Sequence, residues 1–472
     1  MRILLVTPNP SENLNKGFLS CQFPINLGYI ASVLLEAGHS VKMADFNVMD
    51  IKLFPLILKE FNPEMVGISS MTSGIDNSKK IFASVKNFNP AIKTVLGGVH
   101  ASALPIETMK DISSLDFLVF GEGEMTLKEL AGRLSMGKPV SGVKGLVYRY
   151  NERIIKNKIR PLIEDLDSLP YPARQLIPEH LYCRQHVTRG FSRKYMKILE
   201  LITGRGCPGK CIFCASSVVH KGHLRFRSLR NIIGEIEQYK KSHGLDYVSI
   251  EDDTFALNQH LLLGLCDYFK RESLSWGCYG RVDRIDFNIL KVMAESGLKK
   301  MVFGIESGSQ AMLDKMKKGI SIEQAKKAVK SAKKAGIRFV ECDFLLGAHP
   351  DETLETVNDT KKLIFQLMPD FLALSIMCPY PGTEINSLMM KLGQFPENPK
   401  WAQFSHFGKL ERYNRLTYLT SEQLSSVQKK ILKEYYTSPK YVLSQVRQIR
   451  SPREARYFFS LGMNYIKEFL LR

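Results

Sequence analysis

Short, nearly continuous apolar runs punctuate the first third of the chain, at residues 3–7, 41–44, 65–69, 94–96 and 117–120. Runs of that length without polar alternation predict strands buried on both faces. Between them the apolar period lengthens. Residues 24–37 predict a helix that Gly38 stops. Residues 75–88 predict another, with Ile81, Val85 and Phe88 on one side, and residues 125–134 a third. Repeated βα units imply an α/β domain over residues 1–137, a doubly wound parallel sheet of Rossmann or flavodoxin type. Ligands of such sheets lie beyond the carboxyl ends of the strands. The residues there are small or polar: Thr7, Asp45, Ser69, Ser70, Thr72, Gly97, Gly98, Gly121 and Gly123. They leave room for something large and flat.

Residues 138–195 read as a connector. Within it, 145–159 alternate as a hairpin would around Asn151-Glu152, and prolines stiffen 166–174. From 196 to 395 strand and helix alternate again. Six strands are expected, at 197–202, 247–250, 275–279, 300–303, 339–346 and 371–377. Each ends in glycine or polar residues, as a partial (β/α)6 barrel of TIM type with one open mouth requires. Residues 396–472 read as a basic helical region.

Composition narrows the field. The 472 residues, 44% of them hydrophobic, suffice for two or three domains. No run of 18 apolar residues occurs. The N-terminus, MRILLVTPNP, reads as a first strand rather than a signal peptide. Of nine cysteines only three cluster, and the rest are scattered singly, as in a reduced, cytoplasmic protein. The net charge of +19 fits nucleic acid, an anionic membrane surface, anionic ligands or merely a solvated basic surface.

The three clustered cysteines lie in TGRGCPGKCIFCASS, residues 203–217, on a loop after an apolar strand. Cys207, Cys211 and Cys214 are spaced C-x3-C-x2-C, with Phe213 before the third. Three thiolates are one too few for a closed four-coordinate site, but they hold a cubane cluster with one iron open. Structural zinc with His220 or His223 as fourth ligand is the competing use. The stretch resembles the radical S-adenosylmethionine (SAM) superfamily. There the open iron chelates the methionyl group, and an electron from the cluster releases a 5′-deoxyadenosyl radical. The methylthiotransferase branch carries three more N-terminal cysteines, whereas only Cys21 precedes residue 183 here.

The first domain resembles the cobalamin-binding domain found ahead of many such cores. The matching pieces are residues 24–29, 38–39, 67–69, 97–102 and 121–124. The resemblance implies that Ser69, Thr72, Gly97 and Gly98 cradle the nucleotide tail and that Gly121, Glu122 and Gly123 approach it. Asn47 stands where a cobalt-ligating histidine would be, so no histidine from the Asp45 loop is expected on cobalt. His100 is expected in a loop or at the surface. In the barrel the resemblance places Asp252, Asp253, Arg281, Glu306 and Ser307 around SAM, with Phe213 beside the cluster. Gly347-Ala348-His349-Pro350-Asp351-Glu352 departs from the family's G-x-P-G-E-T at Asp351.

The first reading is therefore an oxygen-sensitive, cobalamin-dependent radical SAM enzyme that methylates an unactivated carbon of a small molecule or lipid. A cyclase of the anaerobic tetrapyrrole type is the alternative within the class. A basic RNA- or membrane-associated protein with structural zinc is the alternative outside it. The first reading implies a [4Fe–4S] cluster, SAM and cobalamin as cofactors. It also implies an external electron donor of flavodoxin or ferredoxin type, and no nucleic acid. Residues 429–472 hold ten Lys/Arg against three Glu, with Tyr457, Phe458, Phe459, Tyr465, Phe469, Leu470 and Leu471 among them. They suggest either peripheral membrane contact or an ordinary helix packed on the barrel.

Overall fold

The computed structural model describes residues 1–9, 22–151, 153–183, 196–405 and 418–465. Expectations placed on Cys21, Glu152, Phe469, Leu470 and Leu471 lie outside them. The first sheet holds β1 (Arg2–Thr7), β2 (Ser40–Asp45), β3 (Met65–Ser69), β4 (Lys93–Gly97), β5 (Phe117–Val119), β6 (Leu146–Tyr150) and β7 (Arg153–Lys156). Its order is β2-β1-β3-β4-β5-β6-β7. β1 to β5 pair in parallel. β6 and β7 are the hairpin expected in the connector, and they extend the sheet antiparallel at its edge. Asn151 turns it with φ 45°, a left-handed conformation that asparagine tolerates.

β1 shows why continuous apolar runs were needed. Ile3 and Leu5 point to one face, beside α1 (Ile25–Glu36) and a later helix over Glu124–Ser135. Leu4 and Val6 point to the other, beside α2 (Phe54–Phe61) and α3 (Ile75–Phe88). α2 and the short helices α4 (Val99–Ala103) and α5 (Pro105–Asp111) were not expected from the sequence. The later helix, α6 (Glu124–Ser135), was. The strand order reverses between β1 and β3, and the crevice for a ligand opens at that switch, beyond Thr7 and Ser69.

The second sheet holds β8 (Ile198–Leu201), β11 (Tyr247–Ile250), β12 (Ser275–Gly280), β13 (Leu298–Glu306), β14 (Phe339–Leu346) and β15 (Phe371–Ile376). All six strands are parallel, in sequential order, as a partial barrel demands. Between β8 and β11 a small antiparallel ribbon pairs β9 (Gly204–Arg205) with β10 (Arg225–Phe226), and the cysteine loop hangs from it.

Two segments bind the domains together. The connector runs along α1: the Ala173 N–H donates to the Gly28 carbonyl at 3.0 Å, and the Tyr171 hydroxyl donates to the Asn231 carbonyl at 3.0 Å. The chain leaving β15 returns to the first domain, where Cys378, Trp401 and Phe404 join the core beneath α2 and α3. The helix Ser421–Tyr436 instead packs Leu424, Ile431, Leu432 and Tyr435 into the barrel core, so its apolar face is not free for a membrane. Phe458 meets Phe339, while Phe459 remains exposed. Among the described residues no helix is long and apolar enough to cross a membrane.

Gly98 illustrates how tightly the sheet edge is built. Its φ is 102°, and a Cβ there would stand 2.5 Å from the Ser70 carbonyl oxygen. Gly98→Ala is expected to cost at least about 2 kcal/mol through strain and displacement of β3's exit. Urea unfolding measures it, and a loss below about 0.5 kcal/mol, the scale of a neutral surface change, would show that the backbone yields freely.

Candidate active site

The cysteine loop is fixed at many points before it presents a thiol. At its start, Asp252 accepts from the Thr203 N–H at 2.6 Å, from the Thr203 hydroxyl and from the Gly204 N–H at 3.3 Å. Gly206 has φ 91°, and a Cβ there would lie 2.1 Å from the His223 carbonyl oxygen, so only glycine lets the loop close on itself. Ile212, between the second and third cysteines, is buried among Met312, Met316, Met377 and Ile385. Its N–H donates to the Met316 carbonyl, and its carbonyl accepts from the Ile385 N–H. At its end the Ser216 hydroxyl donates to Asp253 at 2.6 Å.

Cys207, Cys211 and Cys214 are unpaired and half-buried. Gly209 lies between the first two: a Cβ there would be 3.3 Å from Cys207 Sγ, 3.5 Å from Arg281 Nη1 and 3.9 Å from Cys211 Sγ. The missing side chain leaves a hollow lined by sulfur and a guanidinium. Burial pushes the Cys211 thiol up and the Cys214 thiol up to about 11. His220 Nδ1 meets Arg225 at 3.1 Å, and His223 Nε2 meets Glu164 at 2.9 Å. Among the described residues no three Cys, His, Asp or Glu side chains converge on a single-ion site. The donor set is thus three thiols spread over one loop, which fits a cubane held by three separate irons better than a single zinc.

Arg281 and Glu306 come to the same mouth. Arg281 grips Asp283 with Nε and Nη2, at 2.9 and 3.2 Å, and donates to the Lys318 carbonyl. Glu306 sits at a register slip of β13 with φ 76°, a costly conformation for a side chain with a Cβ. Its carboxylate pairs with Lys318 Nζ at 2.7 Å, both side chains about one-tenth exposed. Burial works against the Lys318 ammonium, and the charges of Glu306 and Cys211 outweigh it, so the net shift is upward. Lys318 also stands 6.0 Å from the Phe213 ring centroid. Nothing in the sequence distinguishes Lys318 from Lys317, whose ammonium faces Glu384 on the exposed side.

Several expected residues are turned elsewhere. Asp252 is spent on Thr203 and Gly204. The Ser307 hydroxyl is buried against Thr360 and the Ser309 N–H. Asp253 is exposed beside Ser216.

At the first sheet's edge, the Thr72 hydroxyl bonds His100 Nδ1 at 3.2 Å, and the His100 ring meets Trp401 edge-on. His100 is therefore buried rather than at the surface, and burial lowers its pKa to about 4. Gly98 is required by Ser70, and a Cβ at Gly123 would lie 3.2 Å from Ile30 Cδ1. Glu122 pairs with arginines of the barrel side. Asp45 accepts from Asn47 and from the Tyr182 hydroxyl at 3.0 Å. What remains open is the switch itself. The Thr7 hydroxyl is buried there without a hydrogen-bond partner. A Cβ at Gly121 would meet nothing within 4 Å, and one at Gly97 only Val119, at 3.9 Å. Thr7, Ser69, Gly97 and Gly121 thus form a polar, uncrowded edge suited to a large planar ligand.

Comparison with known proteins agrees with both halves. A B12 binding domain model matches residues 17–131, and a Radical SAM superfamily model matches residues 201–364. An uncharacterized methyltransferase of Pyrococcus horikoshii is 32% identical over 94% of this chain and 95% of its own length. An anaerobic magnesium-protoporphyrin IX monomethyl ester cyclase of Rubrivivax gelatinosus is 26% identical over 82% of this chain and 69% of its own. The solved radical SAM methyltransferase TsrM of Kitasatospora setae, with cobalamin and a [4Fe–4S] cluster bound, shares the fold. Its TM-score is 0.67 and its identity 18%, covering 84% of this chain and 79% of that one. The chain belongs to the radical SAM superfamily, in the branch that carries an N-terminal B12-binding domain. Its cofactors are those of that branch: a [4Fe–4S] cluster, SAM and cobalamin.

Burial pushes the Asp252 carboxyl up to about 7, against the pull of its hydrogen bonds from Thr203 and Gly204. Unfolded, it titrates near about 3.9. Between roughly pH 4 and 7 the folded chain holds a proton that the unfolded chain has lost. This group's contribution to stability therefore falls as pH rises through that window. Asp252→Asn is expected to flatten the decline in urea-unfolding stability from pH 4 to 7 relative to the parent. Identical slopes would mean that Asp252 titrates as a solvated carboxyl.

Proposed function

We propose that this enzyme methylates an unactivated carbon of a small molecule or lipid. Cys207, Cys211 and Cys214 hold the cluster, and cobalamin lies over the Thr7, Ser69, Gly97 and Gly121 edge. The observation that carries the reading is the methyltransferase relative matched over nearly the whole chain. The cyclase relative keeps ring formation as the second reading. When bound, the cluster supplies one-electron cleavage of SAM, and cobalamin supplies a carrier for its methyl group. The chain's own residues bind and orient. Glu306 offers a carboxylate to the cationic end of SAM, and Arg281 suits its carboxylate. Lys318 holds the Glu306 carboxylate in place, and the apolar wall around Ile212 and Phe213 excludes water.

The partners follow from this chemistry. The reduced cluster needs an external one-electron donor of flavodoxin or ferredoxin class. Thiols scattered singly among the described barrel residues suit a cytoplasmic location. Val442, Leu443, Val446 and Phe459 are exposed beside basic residues, and they are the candidate surface for a peripheral membrane contact that a lipid substrate would require.

Anaerobically reconstituted protein is expected to carry about four irons per chain. Replacing any one of the three cysteines by Ala should abolish both the cluster absorbance and SAM cleavage, and a variant that still cleaves SAM would remove the assignment. About one zinc and no iron would establish the structural-metal alternative. With cobinamide, which lacks the benzimidazole base, bound and reduced to Co(II), electron paramagnetic resonance is expected to show no nitrogen superhyperfine splitting, because Asn47 replaces the ligand histidine and His100 is enclosed. A nitrogen pattern would identify an axial imidazole and refute that part of the assignment.

A further inference from the structure

A concentrated cluster of buried charge lies outside both cofactor sites, at the seam between them. Arg205 and Arg225 stand directly opposite each other in the β9–β10 ribbon. Like charges in cross-strand register repel. Glu122, from the loop after β5, bridges them: Oε1 meets Arg205 Nη1 at 3.1 Å and Oε2 meets Arg225 Nη1 at 3.0 Å. Glu124, at the start of α6, takes Arg205 Nη2 at 2.6 Å. Glu122 Oε2 also accepts from the Ile163 N–H at 2.7 Å, and Arg225 donates to the Ile163 carbonyl. The Arg205 guanidinium lies 5.2 Å from the Tyr29 ring centroid on α1. All four side chains are less than one-tenth exposed.

The ribbon is two residues long on each side, too short to hold a loop of 19 residues rigid by its backbone alone. Its charges are met by the other domain. Arg205 is two residues ahead of Cys207, while Glu122 and Glu124 follow Gly121 at the open sheet edge. One neutral group of four charges therefore links the cluster loop to the edge of the first sheet.

We infer that Glu122 and Glu124 are positioning residues: through Arg205 and Arg225 they fix the cysteine loop against the first sheet and set the alignment of SAM with cobalamin. The inference rests on the two cofactor sites proposed above. It replaces the expected role of Glu122 as a cofactor ligand.

The test needs no carbon substrate. Full-length chain is loaded anaerobically with cluster and hydroxocobalamin, reduced with titanium(III) citrate and given SAM. Two products are counted. S-adenosylhomocysteine forms when the methyl leaves sulfur for doubly reduced cobalt, which requires alignment across the seam. Methionine and a 5′-deoxyadenosyl radical form when one electron from the cluster cleaves the S–C5′ bond, and the radical takes a hydrogen atom from the buffer to give 5′-deoxyadenosine; this requires alignment on the barrel side alone.

In Glu124→Gln and Arg205→Lys the ratio of S-adenosylhomocysteine to 5′-deoxyadenosine is expected to fall by ~10- to 100-fold, the scale of ångström-level misplacement. Iron and cobalamin content should stay at the parent's level in Glu124→Gln. That variant keeps an amide of the same shape facing Arg205, so it guards against simple unfolding. Equal losses of both products would indicate a structural role only and overturn the inference. So would an unchanged ratio in variants that retain both cofactors, or loss of cobalamin as the sole defect. If the parent itself retains no cobalamin, the proposed function fails first, and this inference falls with it.

Discussion

Two carboxylates and two guanidinium groups from opposite domains meet where water is nearly absent, and the rest of the molecule is arranged around that meeting. Burying four charges brings no large net stabilisation, since desolvation offsets most of the attraction. What it imposes is register. Removing one member leaves the others buried and uncompensated, at a cost of about 3–5 kcal/mol, so alternative dockings of the two sheets are penalised. Apolar contacts alone tolerate sliding. A bridging carboxylate between two fixed arginines does not, because each oxygen has its own partner.

The same principle of mutual fastening recurs further out. The chain that leaves the last barrel strand does not stop at the barrel. It crosses back to bury Trp401 against His100 and Phe404 beneath α3. The Ala402 N–H donates to Asp76 at 3.0 Å. Gln22, just before α1, reaches Glu251 at the end of β11 at 3.0 Å. The mouth of the barrel and the open edge of the first sheet are thus neighbours by construction, and the connector between them is itself packed along α1.

Much of this was legible in the sequence. β3, α3, β11 and β14 begin and end where the apolar pattern says. The three cysteines stand out by their spacing, and the structure brings Arg281 and Glu306, read from strand ends and the family resemblance, to the same mouth. What was hidden has a common cause: it depends on partners distant in the chain. Asp252 looks like a ligand until Thr203 is seen beneath it, 49 residues earlier. Glu122 looks like part of a glycine-rich ligand loop until Arg205 and Arg225 are placed against it. Lys318 and Lys317 are equivalent as letters and opposite as positions. α2 escaped notice because it is eight residues long and opens with Pro55 at its start, where proline is tolerated.

The enclosed thiols have a bearing on how the site is first filled. Cys214, held near 11, and Cys211, also raised, stay protonated in the empty protein at neutral pH. Thiolate is the form that binds metal, so filling the loop must expel protons, and uptake of iron is easier in mildly alkaline surroundings. The same protonation protects the folded chain before its metal arrives. A thiol that is not ionised is a poor nucleophile toward peroxide or a neighbouring disulfide, so the loop waits for its metal in a chemically quiet form.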